Sequence, residues 1–237
     1  MIIDARNMDQ QVLNEAVRLC EDRYIELRHV NGQRYLGDCL ADKEIHVYGT
    51  AGNAAGAYLN GAQITVHGNV QDAAGDTMND GTITVFGSAG DTAGYGMRGG
   101  CILVEGNIGY RAGIHMKEYE GRSPLILAGG TAGSFLGEYL AGGTIVILGI
   151  GKTQEMPVGN FCGTGMHGGQ IILQCSRADD LPPQVRAEPA DMRLVEPYIE
   201  LYCRTFGSKM REELLSRPYM RLIPNTSNPY RQLYIYI

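Results

Sequence analysis

Tryptophan is missing from this chain of 237 residues, and its six cysteines are widely separated. Zinc and iron–sulfur sites commonly take two cysteines from one tight turn, because a turn can aim both thiolates at one metal. No such pair occurs among Cys20, Cys39, Cys101, Cys162, Cys175 and Cys203. We therefore expect free, mostly buried thiols and no metal site.

Basic residues are also fewer than acidic residues. The chain has 20 lysine and arginine residues against 26 aspartate and glutamate residues, which gives a formal net charge of −6. An acidic chain does not have the basic surface that binds nucleic acids or anionic membranes. No apolar run reaches the roughly 18 residues of a membrane-spanning helix, and the start MIIDARNMDQQ does not resemble a secretory signal. The sequence predicts a cytoplasmic protein that binds neither nucleic acid nor membrane.

Glycine is abundant, with 33 residues, and much of the sequence recurs with a period of 19 residues. The alternation of isoleucine and valine in each unit predicts a β-strand with one buried side. A third column of leucine and methionine is interpreted as core filler rather than as a soft-metal site. The aligned columns are Ile45, Ile64, Ile83 and Ile102; Val47, Val66, Val85 and Val104; and Leu59, Met78, Met97 and Met116.

Each unit also has a glycine three residues before its leucine or methionine. We interpret these glycines as structural corners that need a positive φ or a very close backbone approach. They are Gly37, Gly56, Gly75, Gly94, Gly113, Gly137 and Gly163. Because one unit cannot bury its apolar side alone, we expect the units to stack. The predicted fold is an all-β core, a right-handed parallel β-helix (a solenoid of about seven coils), with N- and C-terminal helical caps.

The two ends of the chain lack the repeat and have helical patterns. A helix is predicted over residues 9–21 with Asp9 as its N-cap, and a second from Asp191 to Phe206 with Gly207 as its stop. Pro197 predicts an early kink or a late start in the second helix, and residues 208–217 suggest a short third helix. The predicted domains are a cap helix over 1–24, the repeat domain over 25–176, and a helical segment with an extended arm over 177–237.

One outward-facing column of the predicted strands changes from polar to aliphatic along the repeat. Its members are His46, Thr65, Thr84, Leu103, Ile126, Val146 and Ile172. An apolar stripe of this length should not face water. We expect the segment from Leu194 to Phe206 to cover it, and a partner protein is the alternative.

The segment GYRAGIHMKEYEG is the candidate functional segment, because it brings polar and aromatic groups into one turn and its insertion. Its candidate residues are Tyr110, Arg111, His115, Lys117, Glu118 and Tyr119. A partner contact, a solvated loop with local ion pairs, and a small-ligand or channel role all remain open for them.

The repeat units resemble the GXGXG domain, which is the C-terminal β-helix domain of the glutamate synthase large subunit. The matching stretches are TAGNAAGAYLNG, GSAGDTAGYGMRGG, GNIGYRAGIHMKEYEG, GGTAGSFLGEYLAGG and GNFCGTGMHGG. As a whole, the chain is similar to the stand-alone form of that domain, in which amidotransferase, FMN-binding and β-helix parts are separate proteins.

The resemblance implies a scaffold subunit, not catalytic by itself, of a glutamate-synthase-type oxidoreductase complex in glutamate biosynthesis. It implies a glutamine amidotransferase and an FMN-binding synthase as partners, which carry the FMN and the iron–sulfur cluster, and no cofactor on this chain. Residue 2 is Ile2, where the amidotransferase has its catalytic cysteine. The alternatives are a subunit of N-methylglutamate synthase, the β-helix subunit of formylmethanofuran dehydrogenase and, more distantly, a carbohydrate-active β-helix enzyme. Self-association also stays open.

Overall fold

The structure is a computed structural model that describes residues 1–152 and 156–225. Three helices and eleven strands are assigned within these residues. In chain order they are β1 (Ile2–Asp4), α1 (Gln10–Leu19), β2 (Tyr24–Asn31), β3 (Glu44–Thr50), β4 (Asn60–His67), β5 (Asp80–Val85), β6 (Cys101–Val104), β7 (Leu125–Ala128), β8 (Ala141–Ile147), β9 (Gly168–Leu173), β10 (Val185–Pro189), α2 (Met192–Phe206), α3 (Arg211–Leu215) and β11 (Met220–Pro224).

All the assigned strands of the described residues belong to one sheet, in the order β1-β2-β3-β4-β5-β6-β7-β8-β9-β11-β10. Strands β1 to β9 are parallel to their neighbours, whereas β11 pairs antiparallel with both β9 and β10. Equivalent positions of the repeat are partners: Ile45 pairs with Ile64, and Ile64 pairs with Ile83. The period of the sequence therefore sets the register of the central strands.

This strand order corrects the predicted fold class. The right-handed parallel β-helix of about seven coils with helical caps is wrong, since the strands form one large, mostly parallel sheet that is not closed. The strict repeat covers only the central strands and predicts parallel pairing there. It contains no information on β1, β10 and β11, which extend the sheet from segments outside the repeat. The C-terminal helix also lies on a face of the sheet rather than across one of its ends.

The inner face of the sheet packs against the chain segments that connect the strands. The repeat columns of isoleucine and valine are buried there together with Leu59, Met78, Met97 and Met116, so the interpretation of the third column as core filler is confirmed. Each of these buried side chains contributes roughly 1.5–3 kcal/mol by leaving water. The connecting segments also pair with one another through a row of parallel bridges that joins Ala51, Val70, Ala89, Ile108, Ala132 and Val158.

The corner glycines lie on these connecting segments. All seven have φ values between 64° and 74°. They are Gly37, Gly56, Gly75, Gly94, Gly113, Gly137 and Gly163. At Gly75, a Cβ atom would lie 2.6 Å from Cδ1 of the buried Ile102. Real Cβ atoms essentially never come this close to another heavy atom. The corner therefore requires glycine both for its backbone conformation and for the approach of the core.

Helix α1 begins as the sequence predicts. The carboxylate of Asp9 accepts hydrogen bonds from the backbone N–H groups of Gln11 and Val12, at 2.8 and 2.9 Å, which confirms the N-cap. The helix buries Leu13 and Val17 in the inner core. The amphipathic spacing of these two residues thus places one side of the helix against the inner core.

Helix α2 also begins and ends at the predicted residues. Asp191 accepts a hydrogen bond from the backbone N–H of Arg193 at 2.9 Å, and Gly207 ends the helix with a φ of 66°. The helix starts at Met192, before Pro197, so the alternative of a late start is wrong. The short third helix is confirmed as α3. No helix in the described ranges is long and apolar enough to cross a membrane.

The outer face of the sheet is covered by α2 over strands β6 to β9. Val195, Ile199 and Tyr202 are buried in one cluster with the outward side chains of the sheet, which confirms that the C-terminal segment covers the apolar stripe. The strand residues of this cluster are Leu103, Leu127, Val146 and Ile172, and Leu148 directly follows β8.

Strand β7 differs from its predicted orientation. Ile126, expected to face outward, pairs with Ile102 and Ile145 and lies in the inner core, while Leu127 takes the outward position. The reason is that Leu125–Ala128 is apolar throughout, so alternation does not distinguish its two faces.

The extended arm predicted at the C-terminus begins with strand β11, and its residues 226–237 lie outside the described residues.

Candidate functional site

The predicted site residues Tyr110 and Arg111 lie at a corner of the connection between β6 and β7. Arg111 has a φ of 57°, and Phe135 and Phe161 occupy the equivalent corners of the next two units with φ values of 60° and 61°. Backbone hydrogen bonds hold the corners together: Arg111 N–H donates to Ser134 O at 2.9 Å, and Phe135 N–H donates to Asn160 O at 2.8 Å. The repeat therefore stacks these side chains in a fixed row.

Arg111 lies between aromatic rings and a buried carboxylate. Its guanidinium carbon is 4.9 Å from the ring centroid of Tyr110 and 5.3 Å from that of Phe135, within the range of cation–π attraction. Its Nε lies 2.8 Å from Oε2 of Glu138, but the angle is not that of a hydrogen bond. Glu138 is only 6% exposed. The ion pair therefore compensates the cost of a carboxylate held away from water.

The aromatic rings of this row pack against each other and reach the surface. Tyr110 and Phe135 have ring centroids 5.4 Å apart, and Phe135 and Phe161 have centroids 4.9 Å apart. Phe161 is 55% exposed, and a cavity of about 350 Å³ lies beside it. We call Tyr110, Arg111, Phe135, Glu138 and Phe161 the corner patch. Its chemistry, fixed aromatic rings around an arginine, is that of protein–protein contact points.

His115 belongs to a second, neighbouring row. Its ring stacks on Tyr139 at 5.0 Å with an interplanar angle of 8°, and Tyr95 meets it edge-on at 5.9 Å. Its backbone N–H donates to the carbonyl oxygen of Glu138 at 2.9 Å. Glu138 thus contacts Arg111 through its side chain and His115 through its backbone.

The remaining predicted residues, Lys117, Glu118 and Tyr119, make local contacts within the insertion before β7. Glu118 accepts a hydrogen bond from the hydroxyl of Ser123 at 3.0 Å. The ammonium group of Lys117 lies 6.0 Å from the ring centroid of Tyr119, and Tyr119 pairs with Arg122 across a short antiparallel bridge. The structure therefore divides the six predicted residues into three groups and brings only Tyr110 and Arg111 into the corner patch.

Sequence reasoning missed Phe135, Glu138 and Phe161. A signal exists for the two phenylalanines, because Phe135 and Phe161 stand two residues before the corner glycines Gly137 and Gly163, as Arg111 stands before Gly113. In the described parts of the chain, histidine, cysteine, aspartate and glutamate form no group of three or more that could hold a metal ion.

Comparison with known proteins identifies a family, a relative and a similar solved structure. A family model described as the GXGXG motif matches residues 23–225. An uncharacterized protein of Methanocaldococcus jannaschii is 38% identical over 251 aligned positions, which cover 99% of this chain and 96% of that protein. A chain of the formyltransferase/hydrolase complex of Methylorubrum extorquens, solved with methylofuran, is similar with a TM-score of 0.63 and 23% identity, over 92% of this chain and 89% of the other.

Proposed function

Because this chain belongs to the GXGXG-motif family, we propose that it is a non-catalytic scaffold subunit of a glutamate-synthase-type complex. Its partners in this proposal are a glutamine amidotransferase and an FMN-binding synthase subunit, which hold the FMN and the iron–sulfur cluster. The resemblance of the repeat units to the glutamate synthase domain supports this class of complex. In isolation, the purified chain should then be colourless and without glutaminase activity.

The corner patch is the observation on which the proposal rests. Scaffold subunits need a surface that is exposed yet already ordered, because ordering side chains on binding lowers affinity. Phe161 is exposed, while Arg111 is held by the buried Glu138 and by two rings. Arginine and aromatic residues that are fixed in this way provide most of the binding energy in many interfaces.

The test is reconstitution of the complex from the full-length chain and the two purified partner subunits. Phe161→Ala should weaken assembly by about 2 kcal/mol, roughly 30-fold in the dissociation constant. Tyr58→Ala is the matched control, because Tyr58 is an equally exposed aromatic residue near an earlier corner. Glutamine-dependent formation of glutamate should fall with assembly. Wild-type binding by the Phe161 variant would remove the corner patch from the proposal, and failure of the wild-type chain to bind either partner would contradict the proposed complex.

A second candidate is a subunit of a formyltransferase-type complex. The fold similarity to a chain of the formyltransferase/hydrolase complex favours it, since that similarity extends over 92% of this chain. Purification of the tagged full-length chain from its source organism distinguishes the two. Co-purification of FMN and glutamine-dependent activity supports the first candidate, and formyl transfer by the purified complex supports the second.

A further inference from the structure

The outer face of strands β2 to β5 has no covering helix among the described residues and contains a row of stacked rings. His46 on β3 and His67 on β4 point outward from adjacent strands. Nδ1 of His46 lies 3.1 Å from Nε2 of His67. The cover of the sheet ends beside this row, where Phe206 of α2 meets Phe86 edge-on at 5.3 Å. His67 is exposed and His46 is partly exposed, so the pair is accessible to small solutes.

A carboxylate orients the first histidine. Nε2 of His46 lies 3.3 Å from Oε1 of Glu44, and a carboxylate accepts a hydrogen bond from a ring N–H. This contact places the ring proton of neutral His46 on Nε2 and leaves a lone pair on Nδ1, the ring nitrogen that lies beside His67. A carboxylate that holds the far N–H of a histidine is the usual outer partner of a metal-binding imidazole.

The spacing of the two ring nitrogens suits one metal ion. Two nitrogen ligands that are each about 2.0–2.1 Å from Zn²⁺, with an angle of about 90–110° between them, are roughly 2.9–3.4 Å apart. The observed separation of 3.1 Å falls in that interval. Nitrogen ligands of this kind suit zinc, copper and nickel.

Neighbouring rings hold the two imidazoles in place. Tyr48 stacks on His67 at 4.4 Å with an interplanar angle of 10°, and Tyr24 packs against His46 at 5.0 Å. Ligands that are already fixed by packing bind a metal with less loss of side-chain freedom. The two strands that contain these histidines are paired in the sheet, since His46 pairs with Thr65 and Tyr48 pairs with His67.

The charges around the pair are suitable for a cation. Glu26, the strand neighbour of His46, and Glu44 provide two carboxylates, and Arg28 neutralises part of the first through a contact of 2.9 Å. Burial and the nearby His46 lower the pKa of His67, although Glu26 acts in the opposite direction. A neutral imidazole is the form that coordinates a metal.

We propose that His46 and His67 together bind one divalent transition-metal ion, through Nδ1 of His46 and Nε2 of His67. Glu44 acts as the positioning residue of His46, and water fills the other coordination positions. Without metal, His67 donates its Nε2 proton to Nδ1 of His46. On binding, that proton moves to Nδ1 of His67, so both lone pairs face the ion and no net proton is released from the neutral pair.

Calorimetric titration of the full-length chain with zinc chloride at neutral pH tests this site. We expect saturation at one ion per chain. His46→Gln and His67→Gln should each weaken binding at least about tenfold, and Glu44→Gln should weaken it roughly 10–100-fold. His29→Asn is the control, because His29 contacts Asp4 instead of the pair and has a φ of 59° that asparagine accepts.

Nitrogen-15 NMR of the imidazoles provides a second measurement. Zinc should move the proton of His67 from Nε2 to Nδ1, and circular dichroism should show that all variants remain folded. Non-saturating binding in the wild-type chain would overturn the proposal. So would saturation that is unchanged in His46→Gln and His67→Gln, or a His67 proton that stays on Nε2 when zinc is in excess.

Discussion

The hydroxyl group of Tyr202 in α2 donates a hydrogen bond to the backbone carbonyl oxygen of Glu105, and the two oxygens are 3.0 Å apart. Gly129 makes room for this contact, since a Cβ atom there would lie 2.3 Å from the hydroxyl oxygen. Burial raises the pKa of Tyr202 to about 12, so the hydroxyl remains a donor throughout the neutral range. This bond joins the helix to the sheet at the edge of the covered stripe.

The covering helix should therefore make a large contribution to stability. Ile199→Ala removes a fully buried side chain between α2 and the stripe, and we expect a loss of about 2–5 kcal/mol in the free energy of unfolding. Leu19→Ala is the control, because Leu19 is 73% exposed on α1 and its truncation should change stability by less than about 0.5 kcal/mol. Urea titrations measure both values. Equal, small losses would show that α2 contributes little to the fold.

The sequence predicts most of the secondary structure, because the local signals for helix caps and strands agree with the observed elements. Asp9, Asp191 and Gly207 are cap residues whose roles depend on a few neighbouring backbone groups, and all three occur as predicted. The β-strands with alternating isoleucine and valine are in the predicted register.

The errors occur where local signals are weak. Strand β7 is apolar on both faces, because its inner face joins the core and its outer face meets α2. Its register is still readable from Gly130, which follows Ile126 by the same spacing that separates Gly106 from Ile102. Strands β1, β10 and β11 were missed because long-range pairing defines them, rather than any alternation of their own.

The candidate site was predicted only in part, for a related reason. Tyr110 and Arg111 can be identified from the sequence because they are polar and aromatic residues in one turn. Glu138 and Phe161 come from later units, and stacking of the units brings Glu138 to Arg111 and Phe161 to Phe135. Only a comparison of outward columns across the repeat would have grouped them.

Burial of a thiol should make stability depend on pH in the alkaline range. Burial raises the pKa of Cys162 from 9.0 to about 12, so the unfolded chain loses this proton at a lower pH than the folded chain. The stabilisation is complete below about pH 9 and decreases as the pH rises toward about 12. We expect Cys162 to account for a loss of about 3 kcal/mol near pH 11. Urea titrations at several pH values measure this slope, and an unchanged slope in Cys162→Ala would contradict its assignment.

The ion pair between Arg111 and Glu138 should show energetic coupling. Arg111→Met leaves the carboxylate of Glu138 buried without its partner, and we expect a loss of about 1–3 kcal/mol. Glu138→Gln removes the buried charge and should cost less. The double variant should lose less stability than the sum of the two single losses, because the second change removes the penalty created by the first. Additive losses in a urea-monitored double-mutant cycle would show that the two groups do not stabilise each other.

Two glycines with positive φ should respond differently to the same substitution. Gly75 has a φ of 67° and Gly96 a φ of 57°, so alanine costs about 1–2 kcal/mol at either position from backbone strain alone. At Gly75 the new Cβ also meets Cδ1 of Ile102 at 2.6 Å, whereas at Gly96 the nearest atom is Oγ1 of Thr77 at 3.7 Å. We therefore expect Gly75→Ala to lose about 1–3 kcal/mol more than Gly96→Ala, because Ile102 is packed in the core and overpacking displaces its neighbours. Urea titrations of both variants measure the difference. Equal losses would mean that the corner glycines are needed for their backbone conformation alone.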